Sequence, residues 1–141
     1  MPHQTTPFDP TTLNRLWHDL DTAERLASLR QAVPGRLVFT TSFGAEDQVL
    51  THVIAESGLA IELVTLDTGR LFPETYDVWE ATERRYGLRI AAFTPEPGAV
   101  AGFVGSTGIN GFRNSPEARQ ACCAARKWLR CARRCLVRPG G

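Results

Sequence analysis

The chain has 141 residues, 43% of them hydrophobic and 22% charged, with a formal net charge of +1. That length supports one domain with its own core, and three Trp and seven Phe without any low-complexity tract exclude a disordered or fibrous chain. Met1 to Thr12 lacks a basic stretch leading into an apolar one, and no apolar run approaches the ~20 residues that span a bilayer. Neither signal peptide nor membrane helix is therefore expected, and the expected location is the cytoplasm.

Asp9-Pro10 opens a helical pattern in which Leu13, Leu16, Trp17, Leu20, Ala23, Leu26 and Leu29 recur at three and four residues, and Pro34-Gly35 closes it. Arg36 to Thr41 (RLVFTT) reads as a short buried strand. Glu46 to Glu56 turns helical, with Val49, Leu50, Val53 and Ile54 on one face and Gly58 at its end. Ala60 to Leu66 (AIELVTL) is the second predicted strand. Pro73 starts a helix that runs through Tyr86, with Gly87 closing it, and Leu88 to Phe93 (LRIAAF) is the third strand.

Pro95 to Phe112, rich in Gly and Pro, is expected to be a loop with room for one short helical piece. Ser115-Pro116-Glu117 has the form of an N-cap with Pro at the first helical position, opening a basic helix. The alternation of helix and strand predicts an α/β fold with a parallel sheet and right-handed crossovers. Three strands make a thin sheet, so the fold is expected to be incomplete at its C-terminal end.

The small net charge hides an asymmetry. Up to Ala118 there are nine Lys or Arg against all 15 Asp and Glu, whereas from Arg119 onward there are seven basic residues and no acid. Such a tail fits a nucleic-acid arm or a set of anion-binding residues. It carries no interleaved aromatics apart from Trp128, so nucleic acid is the weaker reading.

Two segments follow strands directly. Ser42-Phe43-Gly44-Ala45-Glu46-Asp47-Gln48 offers a hydroxyl, one Gly for close backbone approach and a helix N-terminus, a set that suits phosphate or sulfate. It has no Lys, so it is not a Walker-type loop. In Leu66-Asp67-Thr68-Gly69-Arg70, Arg70 supplies a bidentate anion donor. Each segment alone also reads as ordinary turn chemistry. Two of them at neighbouring strand ends flank one crevice, the place where open α/β sheets bind nucleotides.

The order SFGAEDQ, LDTGRLFPETY, Gly108-Ile109-Asn110-Gly111-Phe112 and R-x-x-C-C-x-x-R-K (Arg119 to Lys127) resembles the assimilatory adenylyl-sulfate and phosphoadenylyl-sulfate reductases, over about Arg36 to Lys127. The resemblance implies a three-layer α/β fold of the adenine-nucleotide α-hydrolase type, with a parallel sheet. It implies that Ser42, Phe43 and Gly44 hold the phosphosulfate end of the substrate. The backbone of Leu66, Asp67, Thr68 and Gly69 would contact the adenine, and Arg119 and Lys127 would bracket the cysteine pair beside the substrate. The implied domain covers residues 1–127, and residues 128–141 form a divergent basic tail.

Within that family an adjacent cysteine pair marks the iron–sulfur branch. Cys122 and Cys123 are then ligands of a [4Fe–4S] cluster whose other ligands come from a later C-x-x-C, and adenylyl sulfate is the favoured substrate over its 3′-phosphorylated form. Thiolates suit such clusters, and a cytosolic chain seldom holds structural disulfides. On a continuing helix Cys122 lies about 140° or more from both Cys131 and Cys135, so these four thiols do not converge.

From Trp128 the chain departs from the family pattern, and neither the C-x-x-C nor the catalytic cysteine of the family tail is present in it. The end reads as a truncation or a frame shift. The resemblance implies a reaction in which that absent cysteine attacks the sulfur of adenylyl sulfate and expels AMP, after which thioredoxin or glutaredoxin releases sulfite. No catalytic residue is therefore assigned here, and the chain alone is expected to lack reductase turnover. A homo-oligomer is left open. The rival reading is an ATP-pyrophosphatase-like nucleotide-binding domain without a redox role.

Overall fold

A computed structural model describes residues 9–128. Cys131, Cys135 and most of the basic tail lie outside the described residues. The elements in chain order are α1 (Pro10–Leu16), α2 (Thr22–Ala32), β1 (Val38–Thr41), α3 (Ala45–Ser57), β2 (Glu62–Leu66), α4 (Pro73–Tyr86), β3 (Ala91–Phe93), α5 (Pro97–Thr107) and α6 (Pro116–Cys123). A 3₁₀ turn spans Gly111–Arg113, and a π-helical turn, Ala124–Trp128, continues α6.

The three strands form one sheet in the order β1-β2-β3. β2 and β3 run parallel, with Val64 opposite Ala91, Thr65 opposite Ala92 and Leu66 opposite Phe93. The α/β fold with a parallel sheet expected from the sequence is therefore present. By internal contacts the chain forms two compact units: one takes residues up to Phe39 together with Gly44–Glu62, and the other takes Thr40–Phe43 together with the residues from Leu63 on.

In the first unit the single N-terminal helix expected from the leucine spacing is two helices. The break is set by polar chemistry that the apolar period does not report. Asp21 accepts the Glu24 N–H at 2.8 Å while Glu24 accepts the Asp21 N–H at 2.9 Å. This capping box starts a new helix at Thr22. Trp17 of the intervening turn donates its indole N–H to Ser28 of α2 at 2.9 Å. Arg36 forms a two-point ion pair with Glu62, at 2.6 and 2.8 Å, which ties the chain before β1 to the start of β2. α3 ends at Gly58, as expected, in the left-handed conformation.

The second unit holds most of the fully buried residues. Val64, Thr65 and Phe93 of β2 and β3 are buried, as is Ile90 just before β3. α4 starts at Pro73 and ends at Gly87, as the sequence indicates. Just before β3, the Ile90 N–H donates to Glu83 of α4 at 2.8 Å, and Trp79 and Arg89 donate to the same carboxylate. Donation from the Ile90 N–H, more than from Trp79 and Arg89, holds the Glu83 carboxyl below its usual range.

The segment 95–112 corrects the loop expectation, because it contains the eleven-residue α5. Pro97 is at its start and Ala99, Val100, Ala101, Phe103 and Val104 are good packing residues. The three interior glycines, each a cost of about 1 kcal/mol, masked this run. α5 packs against the 111–113 turn and the π turn.

Candidate functional site

At the C-terminal end of β1 the chain makes a tight reversal. Thr41 is buried, its carbonyl accepts the Thr65 hydroxyl at 2.9 Å, and its own hydroxyl accepts the Phe43 N–H at 3.0 Å. Phe43 takes φ 64°, the left-handed conformation. A side chain there costs on the order of 1–3 kcal/mol and persists only where neighbours hold it. The neighbour here is Trp79, stacked on the Phe43 ring at 5.5 Å between centroids and 23° between planes. The next residue, Gly44, is the N-cap of α3 and has no side chain to fill the cap.

At the end of β2 the Asp67 carboxylate accepts the Gly69 N–H at 2.9 Å, the turn expected for Asp at this place. The same oxygen accepts the Tyr76 hydroxyl at 2.8 Å. That bond favours the protonated phenol and pushes the Tyr76 hydroxyl above its usual range. The Thr68 carbonyl accepts from Arg126 of the π turn at 2.7 Å.

Arg70 reaches the 108–113 segment. Its guanidinium donates to the Ile109 carbonyl at 2.9 Å and to the Asn110 side chain at 3.1 Å, and lies 4.9 Å from the centre of the Phe112 ring. This gives Gly108-Ile109-Asn110-Gly111-Phe112 a structural reason. Gly111 must be Gly because a Cβ there would come within 2.5 Å of the Thr107 side chain.

Three recesses meet around Thr68. A cavity of about 400 Å³ is bounded by the two strand ends and includes Ser42, Phe43, Leu66, Thr68, Arg70 and Lys127. A second, of about 360 Å³, shares Thr68, Arg70 and Lys127 and adds Cys122, Cys123 and Arg126. A third, more open recess takes in Asp67, Thr68 and Gly69 on one side and Val100 and Val104 of α5 on the other, with Arg126 again at its edge. The first combines hydroxyls, two cations and apolar side chains in its lining, a mixture that suits an anionic nucleotide.

α6 opens as expected, with the Ser115 hydroxyl accepting the Ala118 N–H at 3.0 Å. Cys122 is buried and Cys123 half-buried, and both thiols are free. The helix then widens into the π turn, a feature frequent at functional sites. That turn carries Arg126 and Lys127. The Arg126 Nε–H is buried with no acceptor among the described residues. No third His, Cys, Asp or Glu joins the two thiols among the described residues.

Residues 36–135 match the phosphoadenosine phosphosulfate reductase domain. The chain belongs to that family. Among its relatives, an adenosine 5′-phosphosulfate reductase of Agrobacterium fabrum is 47% identical over 86% of this chain and 46% of its own. One of Sinorhizobium fredii is 46% identical over 90% of this chain and 50% of its own. One of Allochromatium vinosum is 52% identical over 64% of this chain and 36% of its own. The chain spans about half the length, or less, of these relatives.

Of the reductase-family positions read from the sequence, Ser42, Phe43, Leu66, Thr68, Arg70 and Lys127 come together around the first cavity. Asp67 and Gly69 line the open recess, and Cys122 and Cys123 the cavity beyond Lys127. Gly44 belongs to the other compact unit, and Arg119 lies exposed on α6. Arg126, read only as part of a motif, is the basic residue that reaches the LDTG segment. Tyr76 and Trp79 were visible only as helix residues. No helix among the described residues is long and apolar enough to cross a membrane.

Proposed function

We propose that this chain is the sulfonucleotide-binding part of an assimilatory adenylyl-sulfate reductase, a cytoplasmic enzyme served by a thioredoxin-type thiol donor. The observation that carries the reading is the cavity at the ends of β1 and β2, where Ser42, Thr68, Arg70 and Lys127 surround one space. The Ser42 and Thr68 hydroxyls donate to the sulfate and phosphate oxygens, and the Arg70 and Lys127 cations balance their charge. Phe43, Leu66 and Leu71 give the space its apolar wall. Holding the sulfate end among fixed cations also favours departure of AMP, because charge that develops on the leaving phosphate meets positions already prepared for it.

Cys122 and Cys123 are the cluster ligands in this reading. The local chemistry fits an iron–sulfur cluster: two free thiols share a recess with Arg126 and Lys127, and Arg126 holds a buried N–H that lacks an acceptor among the described residues. A four-iron cluster takes four thiolates, so two more would come from outside the described residues. When bound, such a cluster supplies sulfide and thiolate acceptors and compact negative charge beside the Lys127 ammonium.

Anaerobic calorimetric titration of the full chain with adenylyl sulfate, its 3′-phosphorylated relative and ATP tests the reading. Tightest binding of adenylyl sulfate is the expected result. Binding of ATP with indifference to both sulfonucleotides would replace it with the ATP-pyrophosphatase-like reading.

A further inference from the structure

We propose that Tyr76 and Trp79 of α4 are positioning residues that tie the Ser42-Phe43 turn and the Asp67–Arg70 turn into one geometry. The inference rests on the sulfonucleotide reading for its consequence, though not for its structural content. Tyr76 and Trp79 stand three residues apart on one helix face, where side chains are neighbours. Their rings stack at 6.3 Å and 17°. Phe43 stacks on Trp79 as well, so the three aromatic rings form one connected ladder with Trp79 as its middle rung.

Each end of the ladder holds a turn that lines the nucleotide space. At one end is Phe43, a non-glycine residue at φ 64° that needs an external hold on its ring. At the other is the Tyr76 hydroxyl, bonded to the Asp67 oxygen that also fixes the Gly69 N–H. The middle rung is fixed at its edge, because the Trp79 indole N–H donates to Glu83 at 3.1 Å, and Glu83 also holds the Ile90 N–H. Neither Tyr76 nor Trp79 lines the cavity of Ser42 and Lys127. They act on the nucleotide through Phe43 and Asp67.

Ordinary surface packing is the competing account, since Tyr76 is 38% exposed. It predicts that a change at Tyr76 stays local. The ladder predicts that the change travels across Trp79 to Phe43. Amide hydrogen exchange on the full chain, resolved at Phe43 and Gly69, separates the two without any ligand.

Tyr76→Phe removes one hydroxyl and keeps the ring. Exchange at both Gly69 and Phe43 should quicken by about threefold to tenfold, the worth of one hydrogen bond or one aromatic pair. Trp79→Ala should quicken both further, and Trp79→Phe should restore part of the protection. Adenylyl-sulfate affinity should fall in the same order. Faster exchange at Gly69 with Phe43 at the wild-type rate would overturn the ladder, as would no change at either amide. If Trp79→Ala does not fold, Tyr76→Phe and Trp79→Phe decide the matter. If the wild-type chain binds no sulfonucleotide, the proposed function fails, and the exchange rates still judge the ladder.

Discussion

Lys127→Ala should weaken adenylyl-sulfate binding by about tenfold to a hundredfold while changing AMP binding far less. Lys127, with Thr68 and Arg70, is common to the cavity of Ser42 and to the recess of the two cysteines, and in the proposed reading its ammonium stands where the sulfate end would lie. A hydrogen bond from a charged donor contributes roughly 1.5–3 kcal/mol, which sets that range. The side chain is exposed, so the loss should shrink as salt rises. Lys127→Arg should retain much of the affinity, since it keeps the charge. Equal losses for adenylyl sulfate and AMP in calorimetric titration would place Lys127 elsewhere on the nucleotide and contradict its assigned role.

Val64→Asp should abolish the folded state. Val64 is 1% exposed and lies in β2, the middle strand of the sheet, opposite Ala91. Burying a carboxylate there without a partner exceeds the roughly 4–5 kcal/mol that marks the severe end of single substitutions. That is comparable with the whole stability of a small domain, about 5–15 kcal/mol. Val64→Ala, which only removes two methyl groups, should cost about 2 kcal/mol and leave a cooperative transition. Urea unfolding followed by circular dichroism distinguishes the cases. A cooperative transition for the Asp variant near the wild-type midpoint would show that β2 is not the core of this sheet.

Much of the frame was legible in the residues because its signals are local. Pro73 and Gly87 bracket α4, Ser115 and Pro116 open α6, and the apolar runs before the two candidate loops are the strands β1 and β2. What was not legible depends on partners far apart in the chain or on chemistry that overrides a pattern. The leucine spacing runs unbroken through residues 13–29, yet Asp21 and Glu24 cap each other and divide the helix. The glycines between 98 and 105 concealed α5, which forms despite their low helix propensity.

At the candidate site, the motifs marked the two turns and the cysteines without showing what holds them. Arg70, read as an anion donor, also spends two guanidinium nitrogens on the 109–110 backbone and side chain, forty residues away. Arg126 reaches Thr68 from the π turn after Cys123, a change of winding that no residue in the segment announces. The left-handed Phe43 is still less readable, since glycine is the usual residue at such a φ. Its hold comes from an indole 36 positions later.

Backbone amide chemical-shift mapping of the ¹⁵N-labelled chain measures most directly where adenylyl sulfate binds. Titration should move the amides of Ser42, Phe43 and Leu66 to Arg70 most, with smaller shifts at Tyr76 and Trp79 behind them. Shifts confined to the shallow surface of Glu80, Arg84 and Arg89, or spread evenly over the basic residues, would contradict the assignment of the nucleotide to the ends of β1 and β2.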